Sequence, residues 1–433
     1  MTDVTTPPVE PTTALRAEPQ GGFGRILGWA MWDWGSQPFN TVITTFVFSV
    51  YLTSSSFGPT NTTSTALAIA TALSGLLVAL LAPVLGQNSD RAGRTVRNLR
   101  VQTWVLAAVS AALFLVQPDP SFLVLGLVLL GAGSIISEIA GVNYNASIEQ
   151  VASPSNVGRV SGFGWGMGYL GGILVLLLLY FVFIQPEVGL FGVTDTDGLD
   201  IRVSMVVCGL WILLFTLPTF FVLKDQPREK APRVGVAESY RLVWASLRRL
   251  WARSPHTVYF LGASALFRDG LAGVFAFGAA ANIVAGVATM LFGLLDDVLG
   301  PKRVILISLV ALVVLGLAIF VLHDGGATVF WTLGLAMTAF VGPAQAASRS
   351  FLARVIPEGH SGEIFGLYAT TGRVVSFLSP AAFALFIWLG AVITGDDNTQ
   401  YWGILGIAVV LIAGLAVLIP VKTPQEQVGS HQA

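Results

Sequence analysis

Charge is scarce in this chain. Only 11% of its 433 residues are Asp, Glu, Lys or Arg, against about 25% in a typical soluble domain. So few polar residues cannot clothe the soluble domains that the length would otherwise suggest. Cysteine is nearly absent. The single Cys208 excludes an internal disulfide, and it sits in an apolar run, where it reads as a small core hydrophobe. The four His are scattered, so no metal set of His and Cys can be drawn. There is no Walker loop to cradle a nucleotide phosphate. No nucleophile, base and orienting acid cluster together. The reading is therefore not an enzyme, with no cofactor and no metal. The basic segments are explained by topology, and no nucleic-acid partner is expected.

What fills the chain is apolar sequence, 54% of all residues. A helix needs about 20 apolar residues to cross a bilayer. Punctuated runs of that order lie near 26–52, 65–87, 99–116, 121–143, 160–184, 202–223, 304–322, 328–347, 363–390 and 401–420. The chain reads as an all-α polytopic membrane protein whose first partner is the lipid bilayer. Residues 1–24 are Thr- and Pro-rich at first, with no basic stretch ahead of a short apolar core, and read as a disordered tail rather than a cleavable signal.

The charges that exist are sorted. The linkers at 53–64, 117–120, 185–201, 323–327 and 391–400 hold no Lys or Arg, and several hold acids such as Asp119, Asp195 and Asp397. The alternate linkers carry Arg91, Arg94, Arg97, Arg100, Arg159, Lys302, Arg303 and Arg354. The longest, 224–256, adds eight more Lys and Arg. The positive-inside rule puts the basic set, both termini and the tail 422–433 in the cytoplasm of a cell whose inner, plasma membrane holds the protein. Within the long linker, "ESYRLVWASLRRLW" (238–251) alternates apolar and basic residues at helical spacing. It reads either as an amphipathic helix on the inner leaflet or as a solvated linker helix.

One polar loop occurs twice. In "GQNSDRAGRTVR" (86–97) and "GLLDDVLGPKRV" (293–304), Gly86, Asp90 and Gly93 match Gly293, Asp297 and Gly300, all 207 residues apart. "GRVSGFGWGMG" (158–168) likewise matches "GEIFGLYATTG" (362–372) at an offset of 204. Duplication explains both, with one half at 25–223 and the other at 257–421. Internal repeats with a site between them are characteristic of secondary transporters.

The repeated loop, Gly-x-x-x-Asp-x-x-Gly followed by basic residues, resembles the signature of the major facilitator superfamily. "GWAMWDWGSQPFNTVITTFVFSVY" (28–51), "RDGLAGVFAFGA" (268–279), "SGFGWGMGYLGG" (161–172) and "PAQAASRSFLARVIPEG" (343–359) are similar to the vacuole-effluxer branch, related to a fungal vacuolar amino-acid exporter. The resemblance implies two six-helix halves that rock about a midplane site, a small-molecule substrate with amino acids foremost, and a loop Asp that holds neighbouring helices in the outward-facing state. Asp90 would then lie at the start of span eleven. Protons are a plausible second substrate, and a monomer is expected. The rival expectation is a non-transporting, receptor-like or inactivated membrane protein.

The second half departs from this pattern. Asp33 and Asp269 are each an acid early in the first span of a half; Asp33 and Asp90 are 57 residues apart (90 − 33), but Asp269 and Asp297 only 28 (297 − 269). Spans seven and eight, within 257–295, are therefore expected to be abnormally short. The alternatives are a deletion that trims their outer ends, giving a re-entrant hairpin, and a tight hairpin of two spans.

Charges inside spans cost at least about 2.5 kcal/mol each and need a reason. Asp33, Glu138, Arg268, Asp269 and Arg373 are the transport or proton-coupling candidates. Asp33 is either a proton or substrate site or the partner of Arg373 or Arg268. Arg373 would clamp a carboxylate through two parallel hydrogen bonds, or else pair internally. Glu138 would relay protons or serve a gate network. Gln37, Asn40, Asn143, Trp165, Tyr169, Gln345 and Ser348 are candidate cavity contacts. Gly86, Asp90, Arg91, Gly93, Arg94, Glu149, Arg159, Gly293, Asp297, Gly300, Lys302, Arg303, Arg349 and Glu363 are assigned to a cytoplasmic gate.

Overall fold

A computed structural model describes residues 22–225, 238, 240, 241, 244, 245, 248, 275–356, 360–375, 378–395 and 399–421. Among these residues there is no strand, and the elements are helices throughout. In the first half, α1 (Phe23–Pro38) runs into a π-helical turn, Phe39–Phe46, and then α2 (Phe48–Leu52). There follow α3 (Thr60–Ala92), α4 (Thr95–Ala112), α5 (Leu123–Ala146), α6 (Val157–Leu179) and α7 (Leu199–Val222). The second half shows α8 (Phe275–Leu299), α9 (Pro301–Val321), α10 (Gly326–Val355), α11 (Ser361–Val375), α12 (Leu378–Thr394) and α13 (Gly403–Leu418).

Eight of the described helices are long and apolar enough to cross a membrane. The first crossing is not among them: Asp33, Gln37 and Asn40 make its sequence too polar, and its helix is also locally widened. Pro38 has no N–H to give to the helix, and the chain widens into the π-turn directly after it. There Thr44 and Thr45 turn their hydroxyls back to the Phe39 and Asn40 carbonyls, at 2.9 and 2.7 Å.

α8 is one unbroken helix of 25 residues, about 37 Å long. α8 is thus long enough to cross by itself, and no hairpin turn falls inside Phe275–Leu299. The rest of the region expected to hold a shortened hairpin, 257–274, lies outside the described residues. So do both tails and most of the long linker. Glu238, Tyr240, Arg241, Trp244, Ala245 and Arg248 of that linker are helical.

The core is not confined to each half. Ile305, Leu309, Phe351 and Phe365 of the second half pack in one cluster with Val78 and Ala82 of α3 and Val142 of α5. The halves meet most tightly along two seams, α3 against α11 and α6 against α8. A Cβ added to Gly86 would stand 2.2 Å from the Gly362 carbonyl oxygen, and one added to Gly162 would stand 2.7 Å from that of Thr289. Only glycine permits that approach, so the matched glycines are the contact surface of the repeat.

Candidate functional site

Three layers of polar contacts tie the halves together, stacked from the face that carries the basic loops towards the other. The first layer is the repeated loop. Each copy ends its helix with a residue at positive φ, Gly93 at +58° and Gly300 at +84°, which an L side chain would resist. The turn delivers the loop carboxylate to a helix start in the opposite half. Asp90 Oδ2 accepts from the Glu363 amide at 3.0 Å, at the beginning of α11. Asp297 accepts from the Gly158 and Arg159 amides at 2.8 and 3.1 Å, at the beginning of α6. A carboxylate at a helix N-terminus meets orphan N–H groups and the positive end of the helix dipole.

Around Asp297 the layer is denser. Arg159 Nε and Arg354 Nη2 reach its oxygens at 2.8 and 3.2 Å. Arg354 Nη1 also reaches Asp296 at 2.7 Å, and Ser350 donates to the same carboxylate. Glu149 takes the Ser361 hydroxyl at 2.6 Å, and Lys302 donates to the Ile419 carbonyl at 2.9 Å. Arg91 is half-buried and Arg94 and Arg303 are exposed, and among the described residues none of the three has an ion-pair partner. Sequence reasoning missed Asp296. Its match in the first loop is Ser89 (296 − 207), so the repeat gives no sign of it.

The second layer centres on Asp33 and Arg349. Asp33 Oδ2 accepts from Tyr144 Oη of α5 at 2.9 Å and from Arg349 Nη1 of α10 at 3.3 Å. Arg349 also donates through Nε to Ser161 Oγ at 2.9 Å, through Nη2 to the Ser161 carbonyl at 2.6 Å, and through Nη1 to Asn145 at 3.1 Å. Its guanidinium lies 5.0 Å from the Trp29 ring and 5.7 Å from those of Tyr144 and Trp165. The Tyr144 ring is stacked between Trp29 and Trp32. The Arg349 side chain is 3% exposed, so its charge is held by partners and not by water.

This pairing corrects two expectations. Asp33 faces Arg349, not Arg373, and Arg349 belongs to this inner layer rather than to the gate at the basic face. Counting residues from helix ends set Arg349 about two turns from the end of α10 and Asp33 about three turns into α1. The long guanidinium side chain spans the difference. Arg268 and Asp269 lie outside the described residues.

In the third layer Arg373 of α11 is ion-paired with Glu138 of α5. Glu138 precedes Tyr144 by six residues on α5, so this pair lies about 9 Å farther from the basic face than the Asp33 layer. The two side chains are 27% and 32% exposed. On α6, Trp165 stands beside Arg349 and Tyr169 one helical turn beyond it; both are half-buried, with ring centroids 6.1 Å apart. Gln37 and Asn40 are bonded to each other at 3.1 Å, and Gln345 is half-buried. Two cavity candidates face elsewhere. Asn143 is fully buried and donates to Gln102 at 2.8 Å within its own half. Ser348 is fully buried and bonded to the Ala344 carbonyl at 2.7 Å.

Two helical halves that touch along glycine seams, with paired charges buried between them, define a polytopic transporter of the major facilitator type. Solved structures agree on the fold. The proton:xylose symporter XylE superposes with a TM-score of 0.69 at 14% identity, over 94% of this chain and 98% of that one. A bacterial homologue of the iron transporter ferroportin, in an outward-facing state, gives 0.65 at 15%, over 92% and 98%. At those identities the likeness speaks for the fold alone.

The sequence goes further. The chain belongs to the family described as "Vacuole effluxer Atg22 like", whose model matches residues 147–284 and 326–429, more than half of the chain. An uncharacterized MFS-type transporter of Bacillus subtilis, YxiO, is 24% identical over 91% of this chain and 94% of its own. Autophagy-related protein 22 of Cryptococcus neoformans is 28% identical over 60% of this chain and 52% of its own. The chain thus spans about half the length of that fungal relative.

Proposed function

We propose that the protein is a proton-coupled secondary transporter that carries a small solute, an amino acid by its family likeness, by rocking its two halves about the Asp33–Arg349 layer. The basic loops support a cytoplasmic reading of that face; in this reading the protein is a monomer that crosses a plasma membrane many times, with both termini inside. The contacts around Asp90 and Asp297 then close the cytoplasmic side, and the arrangement is the outward-facing member of a two-state pair.

One observation carries the coupling. Asp33 stands on the first crossing of one half, and its carboxylate is met by Arg349 of the other at 3.3 Å. A proton arriving at Asp33 removes the charge that Arg349 faces. Arg349 keeps Ser161 and Asn145, so the halves lose a tie without leaving a bare cation. Loading of Asp33 thereby biases the equilibrium between the two states, which is what coupling requires.

The test is flux. Purified protein in proteoliposomes, given a mixed radiolabelled amino-acid pool and an imposed pH gradient, should accumulate label. Asp33→Asn, which mimics the protonated acid permanently, should abolish gradient-driven accumulation while leaving solute exchange without a gradient. Gradient-driven accumulation in the variant equal to wild type would sink the coupling role.

A further inference from the structure

α4 carries cations where its repeat counterpart carries none. Gly93 and Gly300 set the offset at 207 just ahead of α4 and α9. By that offset Arg97, Arg100 and Trp104 of α4 correspond to Val304, Ile307 and Ala311 of α9. In α9 the basic flank ends with Lys302 and Arg303 in the first turn, and no cation follows. α4 adds Arg100 about 8 Å past its first residue, Thr95. Membrane orientation asks only for basic charge at the edge of a crossing. A cation set deeper needs a partner or a route to water.

Helical spacing puts Arg97, Val101, Trp104 and Ala108 on one stripe of α4, with Arg100 one turn before Trp104. The stripe faces away from the bundle. Val101 is 50% exposed and Trp104 46%. Along it lies a shallow hollow of about 460 Å³, lined by Val101, Trp104, Val105, Ala108, Val109 and Ala112. From Val101 to Ala112 the helix rises about 16 Å, which matches the roughly 15 Å of hydrocarbon in one leaflet.

The head of the hollow is basic. Arg100 lies 5.5 Å from the centre of the Phe220 ring, and its Nη2 donates to the Phe220 carbonyl of α7 at 3.4 Å. Its Nε–H is buried and has no acceptor among the described residues. Arg97 is exposed, and among the described residues its guanidinium has no ion-pair partner. Asp225 is the acid bonded to this helix start, where its Oδ1 accepts from the Val96 and Arg97 amides at 2.9 and 3.1 Å. With the exposed Arg94 just before α4, three guanidiniums stand against that one carboxylate. Side chains on a helix lean towards its N-terminus. Arg97 and Arg100 therefore rise to the level of lipid phosphates, with the Trp104 ring beneath them.

We infer that Arg97, Arg100 and the hollow along Val101–Ala112 bind one acidic phospholipid. The two guanidiniums hold its phosphate, and one acyl chain lies past Trp104 as far as Ala112. Basic pockets between crossing helices at the membrane surface suit acidic headgroups. A zwitterionic lipid brings an ammonium in among the guanidiniums, and a soluble anion leaves the hollow unfilled. Both helices at the site, α4 and α7, belong to the first half. The inference is thus independent of the transport reading and of the solute carried.

The experiment is fluorescence quenching of the purified full chain in nanodiscs that mix phosphatidylglycerol and phosphatidylcholine, with one of the two brominated along its acyl chains. Bromine quenches tryptophan on contact. The chain holds 11 Trp, so the Trp104 signal is the difference between each protein and the same protein carrying Trp104→Phe. One arginine at the membrane surface is worth about a fivefold preference for an acidic lipid. The Trp104 signal should therefore report selection of phosphatidylglycerol by roughly 25-fold. Arg97→Gln and Arg100→Gln should each cut the selection about fivefold, and together they should remove it. Ala108→Leu, an exposed change that fills the hollow, should lower the selection with both arginines in place. Glycerol phosphate, a headgroup without chains, should not displace the lipid.

Equal quenching of Trp104 by the two lipids would overturn the inference. So would selection that survives in the double Gln variant, since the arginines would then not hold the head. Full selection in Ala108→Leu, or displacement by glycerol phosphate, would overturn it as well. Those results would leave an arginine cluster that takes any phosphate and makes no use of the hollow.

Discussion

Asn145 and Arg349 are one repeat apart, 204 residues, and they touch: Arg349 Nη1 donates to Asn145 Oδ1 at 3.1 Å. Residues related by a two-fold axis can meet only close to that axis. The pseudo-symmetry axis of the molecule therefore passes between α5 and α10 beside the Asp33 layer. The pair is chemically unequal, an amide facing a guanidinium, and so the charge on the axis belongs to one half. A rocking motion that exchanges the roles of the two halves must move this charge relative to Asp33.

Arg349→Lys tests whether a charge alone suffices. An ammonium is compact and cannot reproduce the fork that reaches the Ser161 hydroxyl, the Ser161 carbonyl, Asn145 and Asp33 together. Gradient-driven flux should fall by about 100-fold, equivalent to about 2.7 kcal/mol, and the thermal midpoint of the purified protein should drop. Retention of wild-type flux would mean that the fork is incidental.

Asp90 and Asp297 should act as a matched pair of latches. Each carboxylate sits at a helix start of the other half, an interaction worth about 1 kcal/mol. Losing either should raise the population open at the basic face by roughly fivefold. Cys208 is fully buried, so a cysteine placed at Ala353, itself 4% exposed in one cluster with Trp29 and Val157, provides a reporter. Asp90→Asn and Asp297→Asn should each speed its labelling by an impermeant maleimide. Asp297→Asn should have the larger effect, because Arg159 and Arg354 lose their partner as well.

Gly86→Ala should open the same side further than either Asn variant. The added methyl would meet the Gly362 carbonyl at 2.2 Å, which is backbone and cannot turn aside. Overpacking of this kind costs about 1–3 kcal/mol. Because the clash exists only with the seam closed, the methyl should drive the two-state equilibrium rather than unfold the chain. Faster labelling of the Ala353→Cys reporter with an unchanged thermal midpoint is the expected result. A lowered midpoint with unchanged labelling would place the strain within the helix instead.

Much of this arrangement was legible in the sequence, and the reason is duplication. A loop repeated at 207 residues and a glycine series repeated at 204 point to the seams and to the loop acids, and Asp90 lies at the start of α11 as the resemblance implied. Partners were less legible because they depend on how helices lean in space. The run "NYN" shows why. Adjacent residues point about 100° apart on a helix. Asn143 accordingly turns into its own half, Tyr144 to Asp33, and Asn145 to Arg349. The π-turn after Pro38 gave no sign beyond the proline itself, since nothing in "FNTVITTF" separates it from an ordinary helix.

The last prediction concerns a second proline. Pro83 lies inside α3 and brings no N–H, so the Ala79 carbonyl four residues earlier loses its helical donor. Thr370 of α11 supplies one, its hydroxyl donating to that carbonyl at 3.1 Å across the seam. Thr370→Val keeps the shape and removes the donor, and should favour opening at the basic face by about 1 kcal/mol. Pro83→Ala restores the backbone N–H and should make the same substitution nearly silent. A double-mutant cycle on the labelling rate of the Ala353→Cys reporter measures this coupling directly. A coupling of zero would mean that the Ala79 carbonyl finds no use for Thr370, and that the proline break serves α3 alone.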